Sequence, residues 1–161
     1  MPDPRDMLAT LLNPISITAD DGTSVLSVAN GRLQIKKYPY PEGRVSITPT
    51  VVVGPVVATR TELLRIGGNP TRVLYRALVD LACSVRDIDV VGTSKLTGVD
   101  ARNKLIEAVR NKIRANMVNP DGTGAFSALF LRMDARDLDE NERPLTFRSV
   151  LTADVWWFDF Q

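Results

Sequence analysis

The 161-residue sequence contains no histidine and only one cysteine, Cys83. Serine and cysteine hydrolases usually need an imidazole as general base, and most catalytic zinc sites have histidine ligands, so both classes are disfavoured. A single cysteine cannot form a disulfide within the chain, which is typical of a protein made in a reducing cytosol. We therefore expect no metal and no cofactor, and we interpret Cys83 as a small core residue.

Long apolar runs and a strong net charge are also missing. No stretch approaches the roughly 18 apolar residues of a membrane span, and the N-terminal stretch MPDPRDMLATLL lacks the features of a signal peptide. The formal net charge is +1, so an electrostatic partner would have to meet a local patch. With 44% hydrophobic residues, the length fits a single domain, residues 1–161, that needs no disulfide.

Two segments have the apolar periodicity of helices. Residues 1–14 predict a short N-terminal helix whose apolar stripe consists of Met7, Leu8, Leu11 and Leu12. Residues 97–117 predict one long helix, with a stripe at i, i+4 spacing made of Ala101, Leu105, Val109 and Ile113.

The clearest strand signal is RVLYRALVDLACSV at residues 72–85, where every odd position from Val73 to Val85 is apolar. A period of two predicts a strand with its odd face on the core. The even face mixes Arg72, Arg76 and Asp80 with apolar residues. Two interpretations stay open for this face: partial cover by another chain, or an ordinary surface with scattered apolar residues.

The remaining strands complete the expected fold. Residues 25–86 are predicted to be strands, with a loop at RIGGNPT (65–71) and a bulge or sheet edge where Pro49, Gly54 and Pro55 interrupt a β-branched run. Residues 125–158 predict a closing β-hairpin. Strands that follow one another along the chain without alternating with helices favour an α+β fold. We expect a mostly antiparallel, mixed sheet with the N-terminal helix and the long helix packed on one face.

The acidic stretch DARDLDENE at residues 134–142 is a candidate metal site. Asp137, Asp139 and Asn141 match the first three ligand positions of a calcium loop. Glu142 stands where that loop needs glycine, and Arg148 replaces the bidentate glutamate at its twelfth position. We interpret the stretch as a solvated loop between hairpin strands.

Charge is distributed unevenly along the chain. Residues 95–114 hold six cations and two anions, a balance of +4, whereas residues 134–142 hold five anions and one cation, a balance of −4. The two segments could pair within one chain or between subunits, and complementary patches are what a head-to-tail ring uses. The residues expected at such an interface are Arg72, Arg76, Arg102, Lys104, Arg110, Lys112, Arg114, Asp134, Asp137, Asp139, Glu140, Glu142 and Trp156.

Four stretches follow one another in a familiar order: MLATLL, RVLYRALVDLACSV, DARNKLIEAVRNKI and LTFRSVLTADVWWF. This order resembles that of the tail terminator proteins of tailed bacteriophages and of the related tail-completion and head-tail joining proteins. The resemblance covers most of the chain as a pattern of elements without a signature motif. The segment 17–40 and the insertion RDIDVVGTSKLTG depart from it.

The resemblance implies a non-enzymatic structural virion protein. Such a protein would form a ring, usually a hexamer, at the head-proximal end of the tail tube, end tube polymerisation and join the tail to the neck of the capsid. Its partners would be its own copies, the tail tube protein and a neck or head-completion protein, with DNA passing through the lumen without sequence readout and no membrane involved. It would be made in the host cytoplasm and reside at the tail-neck junction of the virion.

Two other classes of function stay open. A small nucleic-acid-binding α+β domain would use the basic helix 100–114 and bind with a steep salt dependence, although that helix lacks aromatic side chains for base stacking. An enzyme would bring two carboxylates together in a concave site. The candidate carboxylates for that site are Asp87, Asp89, Asp134 and Asp137.

Overall fold

The computed structural model describes residues 3–18, 25–39, 48–66, 69–86, 98–117, 128–130, 136–137 and 146–160. Within these ranges the elements, in chain order, are α1 (Pro4–Leu12), β1 (Ser16–Thr18), β2 (Val25–Ser27), β3 (Gln34–Lys37), β4 (Thr50–Ile66), β5 (Asn69–Arg86), α2 (Gly98–Ala115), β6 (Ala128–Phe130), β7 (Arg136–Asp137) and β8 (Thr146–Phe160).

Helix α1 confirms the predicted N-terminal helix. Asp3 caps it by accepting the backbone N–H of Arg5 at 2.9 Å, and Pro4 occupies the first turn, where its missing N–H leaves no bond unmade. Pro14 follows the end of the helix and cannot extend it. The predicted stripe of Met7, Leu8, Leu11 and Leu12 is buried.

Helix α2 lies within the predicted range of 97–117. All four members of its predicted stripe are fully buried: Ala101, Leu105, Val109 and Ile113. At the C-terminus the Asn116 backbone N–H donates to the carbonyl of Ile113, and the Asn116 side chain donates to the carbonyl of Lys112. Across the described ranges, no helix combines the length and the hydropathy that a bilayer crossing requires.

The main sheet has the strand order β3-β4-β5-β8-β6, with β7 also paired to β8. Strands β3 and β4 are parallel, and the other described pairs in this sheet are antiparallel. Strands β1 and β2 form a separate antiparallel pair. The predicted α+β fold with a mostly antiparallel, mixed sheet is confirmed.

The odd face of β5 lies on the core as predicted, because its residues from Ala77 to Val85 are buried at alternate positions. Helices α1 and α2 contribute their apolar stripes to the same core cluster. Since successive strand residues point to opposite faces, both helices lie on one face of the sheet and the even residues of β5 lie on the other.

Strand β4 contains the predicted bulge. The register against β5 shifts between Val53 and Val56, where Gly54 has a φ of +111°. Over Thr50–Val53 the strand lies between β3 and β5, so this part is central in the sheet. Glycine is needed at position 54 because a Cβ there would lie 2.8 Å from the Cβ of Tyr38.

The predicted loop at residues 65–71 is wrong. Strand β4 continues to Ile66 and β5 begins at Asn69, and these two residues are paired. Pro70 is tolerated because the β4–β5 register is already irregular between Leu64 and Arg65. The glycine and proline signals therefore mark the ends of two long strands.

The closing hairpin is present in the described part, since β6 and β7 both pair antiparallel with β8. Strand β8 runs to Phe160, past the predicted end at 158. Strand β1 was not predicted from the sequence.

Candidate functional site

Three side chains from the paired strands β5 and β8 form an arrangement that we name the Arg76 anchor: Arg76, Asp154 and Trp156. The guanidinium of Arg76 donates to both carboxylate oxygens of Asp154, from Nε at 3.0 Å and from Nη2 at 2.6 Å. The indole Nε1 of Trp156 donates to Oδ1 of Asp154 at 2.9 Å. Arg76 also stacks on Trp156, with its Cζ 4.6 Å from the ring centroid.

Burial differs between the members of the anchor. The side chain of Asp154 is 10% exposed, whereas that of Arg76 is 40% exposed. A carboxylate removed from water needs strong donors, and the two-pronged contact with arginine supplies them in a fixed geometry. The anchor therefore presents a half-exposed guanidinium whose plane is held by a buried carboxylate and an indole.

The anchor lies on the sheet face opposite the helices. A second polar contact lies farther along the same face, where Thr152 Oγ1 donates to Oδ1 of Asp80 at 2.9 Å. Next to it, the paired residues Ala82 and Val150 are buried. This is the mixed polar and apolar face predicted for β5, and it carries both of these polar contacts.

Two of the predicted basic residues of α2 are engaged within the chain. Arg102 is only 5% exposed, donates to Oδ1 of Asn103 and has its Cζ 6.0 Å from the ring centroid of Phe147. Lys104 donates from Nζ to the backbone carbonyl of Thr18 at 3.1 Å. The charge pattern of the sequence did not indicate that these two cations make contacts within the chain.

The other basic residues of α2 lie in its C-terminal half. Nη1 of Arg110 is 3.8 Å from Oε2 of Glu107, a weak ion pair, and within the described residues Nε of Arg110 is buried without a hydrogen-bond partner. Lys112 is half-buried and Arg114 is exposed. Cations in the last turns of a helix also interact favourably with the helix dipole.

Several predicted site residues lie where the structure gives no side-chain description. Asp137 belongs to β7 and Arg72 to β5, and only their strand positions are described. The residues outside the described ranges are Asp134, Asp139, Glu140 and Glu142, together with the enzyme candidates Asp87 and Asp89. Among the described residues, no group of three potential ligands from histidine, cysteine, aspartate and glutamate could hold a metal ion.

Cys83 is a core residue, as predicted. Its thiol is fully buried, and loss of solvation raises its pKa to about 12. At neutral pH the thiolate that would act as a nucleophile is therefore essentially absent.

A cluster of charges at the start of α1 was not predicted. Arg5 binds the carboxylate of Asp3 and donates from Nη1 to the carbonyl of Tyr38 at 2.7 Å, while Lys37 donates to Asp6 at 2.7 Å. The hydrogen bond from the Arg5 side chain is the main cause that lowers the pKa of Asp3. The bond to Asp6 raises the pKa of Lys37. The cluster ties α1 to β3 and therefore has a structural role.

Asp154 was also missed by the sequence analysis. It stands between buried Ala153 and Val155, two positions before Trp156, so a carboxylate flanked by apolar residues was the available signal. Its pairing with Arg76 depends on the register of β5 and β8, which the sequence does not specify. Neither the models of known protein families nor the sequences of curated proteins give a match to this chain.

Proposed function

We propose that the chain is a structural protein of a tailed bacteriophage, without catalytic activity, that assembles as a ring at the head-proximal end of the tail tube. It ends polymerisation of the tube and joins the tail to the neck of the capsid, at the tail-neck junction of the virion. Its partners are further copies of itself in a hexameric ring, the tail tube protein and a neck protein. DNA passes through the lumen without sequence readout.

The observation that carries the proposal is the Arg76 anchor on the sheet face opposite the helices. Burying Asp154 costs solvation free energy, and a half-exposed ion pair returns little stability. The arrangement does, however, fix Arg76 and Trp156 in one geometry before any partner binds. Arginine and tryptophan are the residue types enriched at the energetic centres of protein interfaces, and pre-organisation lowers the entropy cost of binding.

The dimensions of the sheet also favour assembly. Helix α2 has 18 residues and is about 27 Å long, whereas β5, with the same number of residues, extends over about 60 Å. Strands β4 and β8 are nearly as long. The helices of the described ranges therefore do not reach along the whole length of this three-stranded region, and the remaining length is the surface that a neighbouring subunit would use.

Nucleic-acid binding through α2 has less support. Arg102 is buried and Lys104 is bound to a backbone carbonyl, so two of the four cations expected to contact phosphate are already engaged. Helix α2 contains no aromatic residue on which a base could stack. Passage of DNA through a ring needs neither feature.

Charge reversal tests whether the subunits associate through the basic half of α2. Arg110→Glu with Lys112→Glu is expected to weaken self-association, measured by sedimentation velocity at low salt, because like charges then meet the acidic segment. Adding Asp137→Lys and Glu140→Lys should restore part of the association.

The matched control reverses two exposed cations elsewhere, Arg32→Glu with Lys36→Glu, and should leave association unchanged. No recovery in the four-fold variant would remove the proposed pairing between the basic helix and the acidic segment.

A further inference from the structure

A groove of about 540 Å³ separates β1 from α2. Ser16 and Thr18 line one wall, and the other wall is a ridge of α2 made of Asn103, Lys104, Glu107 and Asn111. The Arg76 anchor lies elsewhere, on β5 and β8, so this groove is a second candidate surface.

Hydrogen bonds show which edge of β1 faces the groove. The N–H of Ser27 donates to Oδ1 of Asn30, and the carbonyl of Ser27 accepts from Leu33, so Ser27 and its partner Ser16 do not exchange backbone bonds. In an antiparallel pair the neighbouring residue, Ile17, must then make the bonds to β2.

Ser16 and Thr18 consequently point their backbone N–H and C=O groups away from β2. The bond from Lys104 of α2 to the carbonyl of Thr18 agrees with this direction and places the open edge against the helix. Within the described ranges no strand pairs with this edge of β1. An unpaired strand edge is a template for another strand.

The helix wall suits an extended polypeptide. Asn103, Glu107 and Asn111 follow each other at i, i+4 and i+8 and are all exposed. Asparagine side chains both donate and accept, so they can bond to either kind of backbone group of a chain in the groove. A strand edge facing a helix is a known way to bind an extended peptide by adding it to the sheet.

Charge indicates which polypeptide fits. Lys104 is the cation of the groove wall, Arg110, Lys112 and Arg114 make the C-terminal half of α2 positive, and residues 134–142 carry a balance of −4. Within that segment Arg136–Asp137 is already the extended strand β7, held to β8 by one edge. In the described part of the chain, no strand pairs with the opposite edge of β7.

We propose that the β1–α2 groove of one copy receives the acidic segment 134–142 of a second copy, whose β7 adds to the open edge of β1. The two contributing edges come from different parts of the chain, so the contact is head-to-tail and can propagate around a ring. This inference rests on the self-assembly in the proposed function and names the surfaces that carry it.

A peptide with the sequence of residues 134–142 tests the groove directly. The labelled peptide is titrated with the full chain and followed by fluorescence anisotropy. We expect saturable binding. Two N-methylated peptides, one methylated at the odd-numbered amides and the other at the even-numbered amides, should then differ: one should lose binding and the other keep it. The reason is that strand addition uses the backbone groups of every second residue. Equal binding of a scrambled peptide of the same composition, or indifference to both methylation patterns, would overturn the proposal.

A variant of the groove supplies the second readout. Lys104→Glu should weaken peptide binding at least about tenfold, through repulsion and loss of the groove geometry. Lys36→Glu, an exposed cation on β3, is the matched control and should change nothing. Equal loss in both variants would contradict the proposed location.

Cross-linking separates this inference from the proposed function. A mixture of Ser16→Cys and Asp137→Cys chains should form a disulfide-linked pair on oxidation, whereas either variant alone should not, and buried Cys83 does not compete. If tubes are capped but no such pair forms, the groove proposal fails and the proposed function stands. If the pair forms but tubes are never capped, the proposed function fails and the groove contact stands.

Discussion

Asp154 is a residue whose burial costs solvation free energy while its contacts fix two neighbours in place. Its carboxylate accepts from Arg76 and Trp156 and is nearly removed from water. Replacing a buried ion pair by apolar side chains is often neutral or stabilising, whereas removal of one partner leaves unmet polar groups. Stability and assembly should therefore respond differently to substitutions here.

We predict that Arg76→Met with Asp154→Leu lowers the free energy of unfolding by less than Asp154→Ala alone, because both ends of the ion pair are removed together and only the indole N–H of Trp156 loses its acceptor. Asp154→Ala alone should cost about 1–3 kcal/mol, since the donors of Arg76 and Trp156 lose their acceptor. Urea denaturation measures both, and sedimentation velocity should show self-association lost in the paired variant. Retained association with normal stability would contradict a role of the anchor in assembly.

Asp3 combines a helix cap with an ion pair. The Arg5 hydrogen bond lowers the pKa of Asp3 below its ordinary value of 3.8 in the folded chain. A lowered folded pKa gives stability that is present above the unfolded pKa and is lost as the pH falls through the folded pKa. The stabilising effect of this residue therefore disappears in acid, below about pH 4.

The two functions of Asp3 can be separated by substitution. Asp3→Asn keeps a good helix cap, and it should make the free energy of unfolding less dependent on pH below about pH 4. Asp3→Ala also removes the cap and should cost about 1 kcal/mol more at neutral pH. Urea denaturation across this range is the measurement. An unchanged acid profile in Asp3→Asn would show that the pair with Arg5 does not stabilise the fold.

At the scale of elements, the bulge in β4 depends on Gly54. Any other residue at position 54 would be strained by the positive φ, and its Cβ would clash with the side chain of Tyr38. The carbonyl of Tyr38 in turn accepts a hydrogen bond from Arg5 of α1. The bulge therefore sits where the sheet and the N-terminal helix are joined.

We predict that Gly54→Ala lowers the free energy of unfolding by more than about 2 kcal/mol, from backbone strain plus the clash. Gly31→Ala is the matched control: it has a φ of +74° but nothing within 4 Å of its added Cβ, so only the backbone cost of about 1 kcal/mol applies. Thermal unfolding of the two variants checks the difference. Equal effects would mean that the contact with Tyr38 is not tight.

The elements with sustained periodicity were predictable from the sequence, and those that depend on pairing were not. The stripe of α2 and the odd face of β5 repeat often enough to identify the element and its buried side. Strand β1 spans only Ser16–Thr18, too short to show a period. The loop expected at residues 65–71 failed because glycine and proline signals do not reveal how far the flanking strands continue.

The sites were less predictable than the elements, for a related reason. The hydrogen bonds between Arg76 and Asp154 join residues 78 positions apart, and only the β5–β8 register brings them together. Arg102 looked like a surface cation by charge pattern, yet it is packed beside Phe147. The sequence of β5 showed that its even face mixes polar and apolar residues, but it did not show that Asp154 of β8 binds Arg76 on that face.

At the scale of the whole molecule, three features favour assembly: an arginine anchor on the face opposite the helices, strands longer than the helices that cover them, and complementary local charges on a nearly neutral chain. The first two features place potential contact surface where the described helices do not reach, and the third places it on α2 and on the acidic segment. A head-to-tail ring uses two different surfaces of each subunit at every contact, and the β1–α2 groove and the acidic segment provide such a pair.

The most direct test is the mass of the purified protein in solution, measured by light scattering over a concentration series in low and high salt, with and without added tail tubes. The proposed function predicts a ring, about 106 kDa for six copies of the 17.7 kDa chain, or a monomer that caps tubes and halts their growth. A monomer that ignores tubes and binds nucleic acid with a steep salt dependence would contradict it.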